Sequence, residues 1–148
     1  MKLLERIDED LKKAMKARDK ARVDTLRMLK SDLQYKQIEL GRELSEDDVI
    51  GVLSAASRKR TEAMEEFQRG GREDLREKEF VESEIIREFL PEQVSSEELD
   101  GLIEGVIAET GASSPKDLGD VMKVLMPRIR GRADGKQVNA AVRAKLLQ

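Results

Sequence analysis

Residues 45–90 read SEDDVIGVLSAASRKRTEAMEEFQRGGREDLREKEFVESEIIREFL, and the fold turns on how this stretch is parsed. Ser45 followed by Glu46-Asp47-Asp48 is a capping-box variant. The hydroxyl can accept from the third helical N–H, and a carboxylate three residues on can reach back. Behind it Val49, Val52, Leu53, Ala56, Ala63, Met64 and Phe67 recur at helical spacing, which predicts a helix to about Arg69. Gly70-Gly71 then turns the chain. Leu75, Ile86 and Phe89 mark the inner face of a return helix from Arg72 to Leu90. A hairpin of two such helices needs further apolar partners, so the expected fold class is all-α, with an N-terminal antiparallel four-helix bundle.

Three charges interrupt the stripes. Arg60 falls at the centre of the first apolar face, between Ala56 and Phe67, and Glu79 and Glu82 fall within the second. With the hairpin pivoting at Gly71, position 60 lies level with position 82. An unpaired buried charge costs several kcal/mol, so Arg60 is expected to pair with Glu82 or Glu79 inside the bundle. The alternative is that it runs its aliphatic stem to the bundle edge.

Upstream, Leu4, Ile7, Leu11, Ala14 and Met15 form the stripe of a first helix, about Leu3 to Arg18, with Asp19 available as the next N-cap. Val23, Leu26, Leu29, Leu33 and Leu40 do the same for a second, closed by Gly41. Residues 1–42 hold twelve basic and eight acidic side chains. Those on the outer faces, Lys12, Lys13 and Lys16 among them, read as a solvated surface.

Downstream, Leu90-Pro91-Glu92-Gln93 is the expected boundary between a bundle (1–91) and a small C-terminal three-helix subdomain (92–148). The first proteolytic cuts are expected between Leu90 and Ser96 or in a connector at Arg128–Arg132. Ser95-Ser96-Glu97-Glu98 is a capping box for a fifth helix to Thr110, and Ser114-Pro115-Lys116-Asp117 opens a sixth that Pro127 ends. Asp134-Gly135-Lys136-Gln137 has the form of another box, before Val138, Val142 and Leu146, with Asn139 at the buried edge.

Composition narrows the chemistry. The chain is 40% charged and 3% aromatic, with no Cys, His or Trp. That removes disulfides, thiolate metal sites, and the commonest general base and metal ligand. No Gly-rich phosphate loop or metal-spaced acid cluster is visible. Accordingly no catalytic residue, metal or cofactor is expected. No apolar run approaches the ~18 residues of a membrane span, and no signal-peptide pattern opens the chain. The expected setting is cytoplasmic, without membrane contact.

Charge is distributed unevenly. Residues 91–112 carry six acids and no Lys or Arg, whereas residues 123–148 carry seven cations against Asp134 alone. Such polarity suits a polyanion. Candidate RNA-binding residues are Lys123, Arg128, Arg130, Gly131, Arg132, Lys136 and Arg143. If the connector is extended, Arg128, Arg130 and Arg132 project to one side roughly 6–7 Å apart, the scale of adjacent phosphates. A left-handed Gly131 would aim them. The last helix adds its N-terminal dipole at Lys136. No aromatic follows Phe89, so recognition would be of backbone and shape. A solvated basic turn, balanced by the acidic fifth helix, competes with this reading.

Several runs carry a family resemblance in order and spacing: Leu26-Arg27-Met28-Leu29-Lys30-Ser31, Gly70 to Glu79, Leu90-Pro91-Glu92-Gln93, and Gly131-Arg132-Ala133-Asp134-Gly135-Lys136. The sequence resembles the YqeY-like family. That family shares a helical module with the C-terminal tail of GatB, the B subunit of the glutamine-dependent tRNA amidotransferase. The tail match rests on Gly119, Val121, Met122, Lys123, Arg130-Gly131-Arg132, Ala133 and Val138-Asn139. The resemblance implies an all-α fold and an association with tRNA. The amidotransferase's catalytic module has no counterpart here, and Asp134-Gly135 stands where such tails commonly have Asn-Pro. Three roles follow: a non-catalytic module binding tRNA or other structured RNA; a docking module for amidotransferase or synthetase proteins; or an accessory part of a glutamine-dependent carbon–nitrogen ligase.

Overall fold

The computed structural model describes residues 2–148. Among them the chain is all α, with seven helices, one 3-10 turn and no strand. The helices are α1 (Leu3–Ala17), α2 (Lys20–Leu40), α3 (Glu46–Arg69), α4 (Glu73–Arg87), α5 (Ser96–Thr110), α6 (Leu118–Arg128) and α7 (Gly135–Leu146), and the 3-10 turn is Pro115–Asp117. The chain divides into two compact units, Met1–Pro91 and Glu92–Gln148.

In the first unit α1 to α4 surround a core that includes Ile7, Leu26, Leu29, Val49, Leu53, Ile86 and Phe89, each at most 2% exposed. The α1–α2 junction has no glycine. Arg18 itself takes the left-handed conformation (φ 57, ψ 35), and the Asp19 N–H bonds back to the Ala14 carbonyl. Asp19 caps α2, its carboxylate accepting from the Arg22 N–H at 3.2 Å. At α3 the capping box is complete: Ser45 Oγ accepts from the Asp48 N–H, and Asp48 accepts from the Ser45 N–H. Arg42 also donates to Asp48, and these bonds hold that carboxyl far below the usual aspartate range.

Three expectations about this unit need correction. α4 ends at Arg87, not Leu90, although Phe89 in the turn beyond it is still 2% exposed and lies under Arg6 at 5.4 Å. Leu40 is 37% exposed, with Tyr35 and Ile38 more exposed still. The distal half of the α3–α4 hairpin lies outside the core: Ala63, Met64, Phe67 and Leu75 are half-buried, and Phe80 and Val81 are exposed. Apolar spacing identifies an inward face, but coverage depends on the partner helices. α1 and α2 contribute buried side chains only from Leu3 to Leu33.

Arg60 lies where α2, α3 and α4 meet. Its Nη1 donates to the Ala56 carbonyl at 3.1 Å, its Nη2 donates to Met28 Sδ, and its Nε lies 3.5 Å from Glu82 Oε2. The Arg60 side chain is 11% exposed and that of Glu82 20%. Burial, then the neighbouring Glu82, pushes the Glu79 carboxyl above its ordinary range, with Arg60 opposing.

The second unit packs Leu99, Ile103, Val106, Val121, Leu125, Ile129, Val138, Val142 and Leu146 into its own core. Pro127 does not end α6. It sits in the last turn, where a missing N–H removes only one bond, and Arg128 is still helical. The start signal at Ser114 produces a 3-10 turn before α6, with Asp117 accepting from the Ser113 and Ser114 N–H groups.

Candidate nucleic-acid interface

The connector between α6 and α7 is a tight turn, not an extended segment. Ile129 (φ −122, ψ 19) is buried, and the Arg132 N–H closes back on its carbonyl at 2.9 Å. Gly131 is left-handed (φ 76) and buried. The expected row of three co-aligned arginines is therefore absent, and each has a different fate.

Arg128 projects from the end of α6 and forms a two-pronged pair with Glu109, at 3.0 and 2.7 Å. Arg132 is half-buried. It donates to the Glu92 carbonyl at 2.8 Å and to both oxygens of Glu98. Its own carbonyl accepts from the Val94 N–H at 2.8 Å, and Gln93 donates to the Gly131 carbonyl. This turn thus clamps residues 92–94, so the connector and the segment before α5 are one structure. Arg130 is exposed and makes no side-chain hydrogen bond or ion pair among the described residues. Lys123, Lys136 and Arg143 are likewise exposed and unpaired.

Helix α5 supplies the acids that neutralise the remainder. Glu98 and Glu109, three turns apart on one face, take Arg132 and Arg128; Glu104 on another face takes Lys145 at 2.7 Å. The Arg128 pair holds Glu109 below its ordinary range, and the Lys145 pair does the same for Glu104. The Glu98–Glu109 spacing was the available signal for these partners, and reading the acids only as a charge excess missed it. Glu98 also explains a half-made cap: Ser95 Oγ accepts from the Glu98 N–H, but the Glu98 carboxylate is engaged with Arg132 instead of returning to Ser95. At α7, Asp134 is the N-cap residue yet makes no side-chain cap bond, contrary to the box pattern. The first turn of α7 also contains no acid. What remains available to an anion, among the described residues, is five free cations, Lys116, Lys123, Arg130, Lys136 and Arg143, and the uncapped start of α7.

The described residues form seven helices in two units. The sequence matches the profile of the Yqey-like protein family over residues 4–146, and the chain belongs to that family. It is similar to the fungal proteins named Altered inheritance of mitochondria protein 41, mitochondrial. Identity to the Lachancea thermotolerans protein is 36% over 121 residues, covering 79% of this chain and 65% of that protein. Identity to the Kluyveromyces lactis protein is 29% over 142 residues, 93% of this chain and 72% of that protein. For the Saccharomyces cerevisiae protein it is 34% over 92 residues, covering half of its length. Among the described residues no helix is long and apolar enough to cross a membrane.

Proposed function

We propose that this protein is a non-catalytic module of tRNA or aminoacyl-tRNA metabolism, in which an antiparallel bundle of α1–α4 carries a three-helix tail that holds structured RNA by its phosphates. The observation that carries this reading is the group Lys123, Arg130, Lys136 and Arg143, exposed and unpaired, as Lys116 is too, in a unit where Arg128, Arg132 and Lys145 are neutralised. The N–H groups at the start of α7 and its dipole favour an anion there. The resemblance of the tail to that of the tRNA amidotransferase B subunit supports RNA as the source of the anion. The relatives' names give them a mitochondrial location. Both that location and the cytoplasm expected from the sequence are compartments in which tRNA is charged, and cell fractionation decides between them.

The test is titration of the full chain with a tRNA transcript over a range of salt. Arg130→Gln with Lys136→Gln should lower affinity at least tenfold at low salt and flatten the salt slope by about one unit per lost phosphate contact. Wild-type protein that binds no tRNA, but copurifies with an amidotransferase or synthetase after nuclease treatment, would transfer the function to protein docking. The exposed Tyr35 and Ile38 on α2 would then be the first surface to mutate.

A further inference from the structure

The densest free positive charge in the chain is at the α1–α2 junction, not in the tail. Residues 12–20 read KKAMKARDK, five cations and one acid. Lys12, Lys13, Lys16, Arg18 and Lys20 are all exposed, and none makes a side-chain hydrogen bond or ion pair among the described residues. Three of the nearest acids are engaged elsewhere, Asp8 with Lys30, Asp10 with Arg22 and Asp19 as the cap of α2, and among the described residues neither Glu9 nor Asp24 pairs with these cations. Lys12, Lys13 and Lys16 lie on the side of α1 opposite its buried Leu3, Ile7, Leu11 and Ala14. One helical turn separates Lys12 from Lys16, which puts their Cβ atoms about 5–6 Å apart.

Two local rules are broken here. Arg18 is the only non-glycine residue with positive φ among those described, at a position where glycine carries no steric cost. Lys20 begins α2 at the positive end of a helix dipole, where the Asp19 carboxylate caps the helix but the first turn itself contains no acid. Five of the seven α-helices have an acid in that turn; only α2 and α7 do not. Departures from local preference that persist in a folded protein mark sites where another requirement is being met.

We infer that the α1–α2 junction is a second, independent RNA-binding surface, which takes the phosphate backbone of a strand along Lys12, Lys16, Arg18 and Lys20. It goes beyond the tail reading, because it lies in the other unit and uses none of the same residues. An anionic bilayer is the poorer fit. Met15 is the one large apolar side chain exposed in the segment, and the rest of the apolar face of α1 is buried in the core.

The test uses full-length protein, a tRNA transcript, and vesicles containing one-third phosphatidylserine. Lys12→Gln, Lys16→Gln and Lys20→Gln together should cut RNA affinity at least tenfold at low salt and flatten the salt slope by two to three units. Arg18→Gly separates binding from folding, because it should hold or raise the melting temperature while weakening RNA binding. RNA binding unchanged in both variants overturns the inference. Binding to vesicles through these lysines with no binding to RNA also overturns it, in favour of a membrane surface. Loss confined to the junction variants leaves this surface standing and removes the tail proposal. Loss confined to Arg130→Gln with Lys136→Gln does the reverse.

Discussion

Arg60 touches three helices through one guanidinium, and its two acidic neighbours respond differently to substitution. Glu82 is the ion-pair partner; Glu79 is a carboxyl whose ionised form burial disfavours. A pKa raised on folding means the folded state holds that proton more tightly, so the contribution of Glu79 to stability worsens as pH rises through the raised pKa. Glu79→Gln should therefore raise stability at neutral pH by less than about 1 kcal/mol, and the gain should vanish below the unfolded glutamate pKa of about 4.3. Glu82→Gln should lower it by about 1 kcal/mol. A thermal melt series from pH 4 to 8 separates the two. In the second unit, Arg132→Gln should cost about 0.5–1.5 kcal/mol, because its hydrogen bonds to the Glu92 carbonyl and to Glu98 at the surface are lost to water. Arg130→Gln should change stability by under about 0.5 kcal/mol, and Gly131→Ala should cost about 1–2 kcal/mol through the left-handed backbone. Urea unfolding of the four proteins ranks them directly.

The helices themselves were largely legible, because each rests on a local pattern. The α3 capping box, the Asp19 and Ser95 caps, and the Gly41 and Gly111 left-handed ends were all readable from a few adjacent residues. Where the reading failed, a distant group had intervened or a local penalty was smaller than assumed. The Ser95 box is half-made because Arg132 takes Glu98, and Pro127 is tolerated because it falls in a final turn. The basic connector was legible as charge but not as geometry, since the turn at Ile129–Arg132 depends on a buried isoleucine and on bonds to residues 92–94. Helix α5 is where pH should act. Glu104 and Glu109 are held below their ordinary range by Lys145 and Arg128. A depressed pKa adds stability above the unfolded value, about 4.3, and that stability is lost as pH falls through the folded value. Amide exchange in the second unit should accelerate as pH falls below about 4, after correction for intrinsic rates, and Glu109→Gln should reduce that dependence.

For the molecule as a whole, one expectation about fragility changes. Residues 92–94 are bonded into the α6–α7 turn, so a protease should find neither Leu90–Ser96 nor Arg128–Arg132 the easiest point of entry. The distal α3–α4 hairpin is the looser part: no residue between Ser57 and Glu82 is buried, whereas Val49, Leu53, Ala56, Ile85 and Ile86 are. Hydrogen exchange should be fastest around Arg69–Leu75 and slowest around Leu53 and Ile86, in keeping with local opening where few apolar groups are covered. Uniform protection along both helices would contradict this. Sequence period gave the length of the hairpin, but not how much of it the other helices cover.

The exposed end of α2 has a consequence for how the protein can be observed. Tyr35 is the chain's single tyrosine, there is no tryptophan, and Tyr35 is 73% exposed. Its emission will therefore change little when the cores melt, and an unfolding curve followed by intrinsic fluorescence should be nearly flat while far-ultraviolet ellipticity collapses. The same isolation makes Tyr35 a clean optical reporter: quenching of its emission by an added partner would locate contact at the end of α2, against a background to which no other residue contributes.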